Sequence, residues 1–199
     1  RLDTRTLDQQ IVTLQGESER RKIELARLEV SLQGLNSPFL TLEELERTFE
    51  QAVTPYEAAK NIQITESERR LLLQSFRQHQ SQLMEFRSAK RKAEEERVSA
   101  TAQMQSAKEI LPILESQHRS LSILSKKQLG SLDDLREIQK QLIDAKYTLQ
   151  QATSAVEISA LKLDELAAKE GIYLEQLKSG YVIKRTENVH RIAELNDRI

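Results

Sequence analysis

Ser125-Lys126-Lys127-Gln128-Leu129-Gly130-Ser131 is the stretch whose reading decides the fold. It is short and polar, it carries a Gly near its end, and regular apolar ladders run away from it in both directions. Upstream the 3-4 spacing passes through Leu72, Phe76, His79, Leu83, Phe86, Ala93, Ala100, Met104, Ala107, Leu111, Leu114, His118 and Leu121. Downstream it passes through Leu135, Ile138, Leu142, Ala145, Leu149, Ala152, Val156, Ser159, Leu163 and Leu166. Spacing of this kind, sustained over more than three heptads, is the signature of a coiled coil. Folding the chain back at the stretch pairs Leu121 with Leu135, Leu111 with Ala145, Ala107 with Leu149 and Ala100 with Val156. Large faces small in several layers, as close helix packing needs. The polar Ser159 falls opposite the polar Arg97. Residues 65–199 are therefore expected to form one long antiparallel hairpin with its tip loop at 125–131.

Composition agrees. The 199 residues are 4% aromatic and 31% charged, with five Gly and three Pro, which suits long thin helices and not a wide core. Thirty basic residues are balanced by 31 acidic ones, so no net field draws the chain to nucleic acid. There is no Cys, which excludes disulfides and thiolate metal sites. No apolar run is long enough to span a membrane, and the first residues are not expected to act as a signal peptide. Because it begins with Arg1 and not Met, the sequence is expected to be a segment of a longer chain.

The N-terminal part, residues 1–64, reads as a shoulder of the hairpin. Leu7, Ile11, Leu14, Ser18, Arg21, Leu25, Leu28, Leu32 and Leu35 predict a helix over about 4–35, with Asp3 as its N-cap. Asn36-Ser37-Pro38 breaks it. Thr41-Leu42-Glu43-Glu44 has the form of a capping box and predicts a second helix over 41–54, stopped by Pro55. Thr65-Glu66-Ser67-Glu68 is a similar box and is expected to open the ascending arm, while Ser131 caps the descending one. Each arm, at 1.5 Å per residue, spans roughly 90–100 Å, about twice the first helix. Pro112 is expected to kink the ascending arm, at a cost of about 3 kcal/mol or more. Gly171 and Gly180 predict a hinge or phase shift in the descending arm. The fold class is thus all-α: a long antiparallel coiled-coil hairpin with an additional N-terminal helix packed on its lower half.

Candidate chemistry is sparse. His79, His118 and His190 have no metal-ligand spacing, and the first two stand at seam positions, where they read as polar residues that fix register. Arg87, Lys90, Arg91 and Lys92 are answered by Glu94, Glu95 and Glu96, a self-paired solvated face. No phosphate loop, nucleophile elbow or zinc-protease motif occurs, so neither catalysis nor a cofactor is expected. Leu129 stands out as an apolar residue in the turn. Either it folds back on Leu124 and Leu132 to seal the last layer, or it enters a groove of a partner.

Three features resemble the periplasmic adaptor, or membrane fusion, proteins of the HlyD family. Leu2-Asp3 followed by a helix with Gln9-Gln10 is similar to the exit from the first half of that family's lipoyl domain, and Leu195-Asn196-Asp197-Arg198-Ile199 to the run-in to the second. At the tip, Arg119, Ile123 and Gly130 stand at the spacing of the family's Arg-x3-Leu-x6-Ser pattern, with Ser131 immediately after. Ile for Leu is a mild departure, and Gly130 at the Ser position a larger one. The resemblance implies an adaptor of type I secretion, anchored to the inner membrane of a Gram-negative bacterium and lying in the periplasm. It also implies assembly as a hexamer between an inner-membrane ABC transporter and a TolC-type outer-membrane channel. Arg119, Ile123, Leu129, Gly130 and Ser131 would then meet the channel. An adaptor of tripartite drug or peptide efflux, and a cytoplasmic coiled-coil scaffold or tether, remain alternatives.

Overall fold

The computed structural model describes residues 4–37, 40–56 and 62–199. Four helices account for nearly all of them: α1 (Thr4–Asn36), α2 (Leu42–Val53), α3 (Ile62–Lys126) and α4 (Leu132–Asp197). The protein is all-α, and α3 and α4 form the long antiparallel hairpin expected from the ladders. Asp3 and Pro38, expected as a helix cap and a helix breaker, lie outside the described residues.

Local chemistry explains most of the helix limits. Thr41 is the N-cap of α2: its hydroxyl accepts from the Glu44 N–H, and the Glu44 carboxylate accepts in return from the Thr41 N–H at 2.9 Å. The two Thr41 donors hold the Glu44 carboxyl below the usual carboxylate range, the backbone one first, with Arg47 adding to it. Ser131 caps α4, its hydroxyl accepting from the Asp134 N–H at 3.3 Å, with Asp133 and Asp134 in the favourable first turn. Thr65 does not open α3, contrary to its box-like pattern: the helix already includes Ile62. Ile64, packed against the core, gives the preceding turn a tertiary reason to be helical. α3 continues through Pro112, and α4 through Gly171 and Gly180.

The residues gather into two compact units, each cutting across the long helices: 1–84 with 170–199, and 85–169. In the first unit, α1, α2 and the start of α3 enclose a core of Ile23, Ala26, Val30, Leu45, Phe49, Val53, Leu72 and Phe76. Side chains as large as Phe49, Ile23, Leu45 and Leu72 are fully buried here, each stabilising by about 1.5–3 kcal/mol. α1 therefore buries two stripes. One is the expected ladder, with Ser18 and Leu28 buried. The other, Ile23-Ala26-Val30-Gly34, faces the core with α2. Gly34 lets the helices approach closely at that crossing: a Cβ there would crowd Leu45 Cδ1 at 3.2 Å.

Polar contacts fix the register of α1. Arg27 Nε donates to Glu68 of α3 at 2.6 Å, both side chains largely shielded from solvent. On the α4 side, Ser18 donates to Asn196, Arg21 to the buried Asn188, and Arg185 pairs with Glu29.

The second unit is a two-helix coiled coil. Its fully buried residues are all small, namely Ala93, Ala100, Ala107, Ala152 and Ser159. The Leu residues of the same ladder, among them Leu111, Leu114, Leu142 and Leu149, are only half-buried. Two helices can close over a methyl group but not over an isobutyl one. Ser159 and Arg97, expected opposite each other, do not bond: the Ser159 hydroxyl donates to the Ala155 carbonyl, and Arg97 turns to Glu94. The basic cluster is answered only in part as expected. Arg91 pairs with Glu95 at 3.9 Å, but Glu96 reaches across the seam to Lys162 at 3.1 Å.

Candidate docking tip of the hairpin

The end of α3 is closed by backbone geometry. The Leu129 N–H donates to the Leu124 carbonyl at 3.0 Å and the Gln128 N–H to the Ser125 carbonyl at 2.9 Å. This pair of bonds is a Schellman motif, and it requires a left-handed residue at its centre. Gln128 takes that role with φ 58°, although Gly is the residue suited to it. Gly130, two positions later, has another task. A Cβ on it would sit 3.1 Å from Leu124 Cβ and 3.2 Å from the Ser125 nitrogen, so the chain doubles back closely against the helix end and a side chain here would crowd it.

The motif turns Leu129 outwards. Leu129 is 74% exposed, and Ile123, Leu124 and Leu132 are exposed around the same turn. The sealing arrangement considered for Leu129 is thus not adopted. Of the remaining tip residues, Arg119 is exposed and its Nε donates within its own helix to the Glu115 carbonyl at 3.4 Å. Ser131 is exposed but engaged as the α4 cap, and Gly130 is half-buried beneath the turn. The five residues singled out in the sequence therefore divide: Arg119, Ile123 and Leu129 face solvent, whereas Gly130 and Ser131 shape the loop. Leu132, the first residue of α4, joins the apolar group. Its signal was an apolar side chain directly after a cap and within three residues of Leu129.

Elsewhere the chemistry is of the helix-packing kind. His79 is 7% exposed, and its ring stacks on Tyr173 of α4 with centroids 5.7 Å apart and planes 19° apart. Nδ1 of His79 lies 3.3 Å from the Tyr173 hydroxyl. Burial pushes the imidazole below its ordinary value, and burial, then Tyr181, pushes the phenol up. His118 is half-buried in the seam and His190 is exposed. Among the described residues no group of three His, Cys, Asp or Glu could hold a metal ion, and no helix is long and apolar enough to cross a membrane.

Fold and tip together define a helical-hairpin protein with an exposed apolar turn. No family model and no curated protein matches the sequence.

Proposed function

We propose that this chain is the α-helical hairpin of a periplasmic adaptor that links an inner-membrane ABC transporter to a TolC-type outer-membrane channel in type I secretion. It acts as a spacer and docking element and not as an enzyme. The observation that carries the reading is the tip. Leu129, Ile123 and Leu132 stay exposed on a turn whose backbone is fixed by a Schellman motif and a Ser cap. A rigid turn that displays large apolar side chains suits insertion into a complementary groove. The two helices that carry it have 65 and 66 residues without interruption, a contour of about 100 Å each at 1.5 Å per residue. In the assembly, hairpins of a hexamer stand side by side, and Arg119, Ile123 and Leu129 contact the channel while Gly130 and Ser131 hold the loop.

The absence of Cys makes the test direct. Ser131→Cys is introduced as the single thiol of the full-length protein, and crosslinking in cells is sought to cysteines at the periplasmic end of the outer-membrane channel. A specific crosslink, absent when the thiol is moved to Ser154→Cys, is expected. Normal expression and export with no crosslink would overturn tip docking and favour a scaffold.

A further inference from the structure

Within the first unit, the buried His79 of α3 stacks on the half-buried Tyr173 of α4 and joins the two helices. A neutral imidazole satisfies this site in either tautomer, because the Tyr173 hydroxyl, 3.3 Å from Nδ1, can donate to a bare nitrogen or accept from a protonated one. A charged imidazolium has no such accommodation. On α3 the residues one turn away, Ser75, Phe76, Gln82 and Leu83, carry no charge. On α4, Tyr173 itself faces the ring, Lys169 is turned to Glu165, the half-buried Glu170 one turn before Tyr173 adds nothing to the effect of burial on the imidazole, and Gln176 and Leu177 one turn after it are neutral. The last turn of α1, Gln33 to Asn36, holds no acid or base. The acids opening α2, Glu43 and Glu44, are on its exposed side or bonded to Thr41. The face of the Tyr173 ring attracts a cation, but that attraction is smaller than the penalty for burying an unpaired charge.

We propose that His79 and Tyr173 form a pH-sensitive latch in the α3–α4 seam, closed with a neutral imidazole and loosened when the ring takes a proton. The sign follows from burial. The folded ring binds its proton less readily than the unfolded one, so the unfolded state holds more protons below the ordinary imidazole value. Stability is therefore level above about pH 6.5 and falls as the pH is lowered from there.

Two measurements on the 199-residue protein test this. Melting at pH 7.5 and pH 5.0 is compared for the wild type, His79→Leu, and the double variant His118→Gln/His190→Gln. The wild-type melting temperature is expected to fall by about 3 °C or more on acidification, and the double variant to fall equally. His79→Leu should lose most of that fall. An acid-induced fall of the same size in His79→Leu would overturn the latch. Should His79→Leu not fold, NMR titration of the wild-type His ring protons decides. A midpoint for His79 below that of the exposed His190 supports the latch, and one at or above it refutes it.

Discussion

Gln128 occupies a backbone position that its side chain does not favour. Its φ of 58° is set by the Schellman bonds on either side of it, which need one left-handed residue before the chain can reverse. A non-Gly residue there costs about 1 kcal/mol, so Gln128→Gly is expected to stabilise the protein by about that amount. Chemical denaturation would measure it, and a loss of stability would mean that the turn is not held in this geometry. Gly130 is the converse case. Its freedom from a side chain serves close approach and not φ, since a Cβ would come within 3.2 Å of the α3 backbone. The sequence pattern could place a Gly in the turn but not tell whether position 128 or position 130 needed the left-handed conformation. That depends on which carbonyls of the last helical turn the chain comes back to.

At the scale of elements, the same ladder produces two kinds of core. In the first unit α1 and α2 cover the α3 face, so Phe49 and Leu72 lose all contact with water. In the second unit α3 and α4 have only each other, and their Leu residues stay half-exposed. Removing a side chain should therefore cost more in the first unit. Phe49→Ala is expected to destabilise by about 3–5 kcal/mol, within the range for aromatic truncation in a closed core. Leu114→Ala should cost about 1–2 kcal/mol, below the usual core value, because the half-buried site was never fully dry. Comparable losses in paired denaturation experiments would show that the two cores are equivalent after all. The second stripe of α1, through Ile23, Ala26 and Val30, has regular 3-4 spacing in the sequence. It was overshadowed by the Leu-rich stripe beside it, because apolar spacing indicates that a face is buried without limiting a helix to one such face.

For the molecule as a whole, the question is whether the apolar tip serves folding or binding. Leu129 contributes little to packing at 74% exposure, so Leu129→Asp should change folding stability by no more than about 0.5 kcal/mol. If the tip docks in a channel, the same substitution should abolish export or the Ser131→Cys crosslink, since it places a charge in an apolar groove. Retained export with unchanged stability would remove Leu129 from the interface. A large loss of stability would instead show that the residue belongs to the fold. The two readouts separate these roles because the side chain touches so little of its own protein.

The sequence by itself determined the helices, the turn and the seam. Apolar residues at 3-4 spacing, a capping Ser or Thr and a short Gly-containing break are local signals, and each acts through the backbone within a few residues of where it is read. It also placed the seam of the second unit, because there burial follows from spacing alone. Only the tertiary structure decided how deeply each ladder position is buried, that Thr65 lies inside a helix, and that Ser159 and Arg97 each bond within their own helix. It likewise decided that His79 meets Tyr173 and that Leu129 points to solvent. These depend on what a second or third helix brings to the same place, and no periodicity along one strand of sequence carries that information.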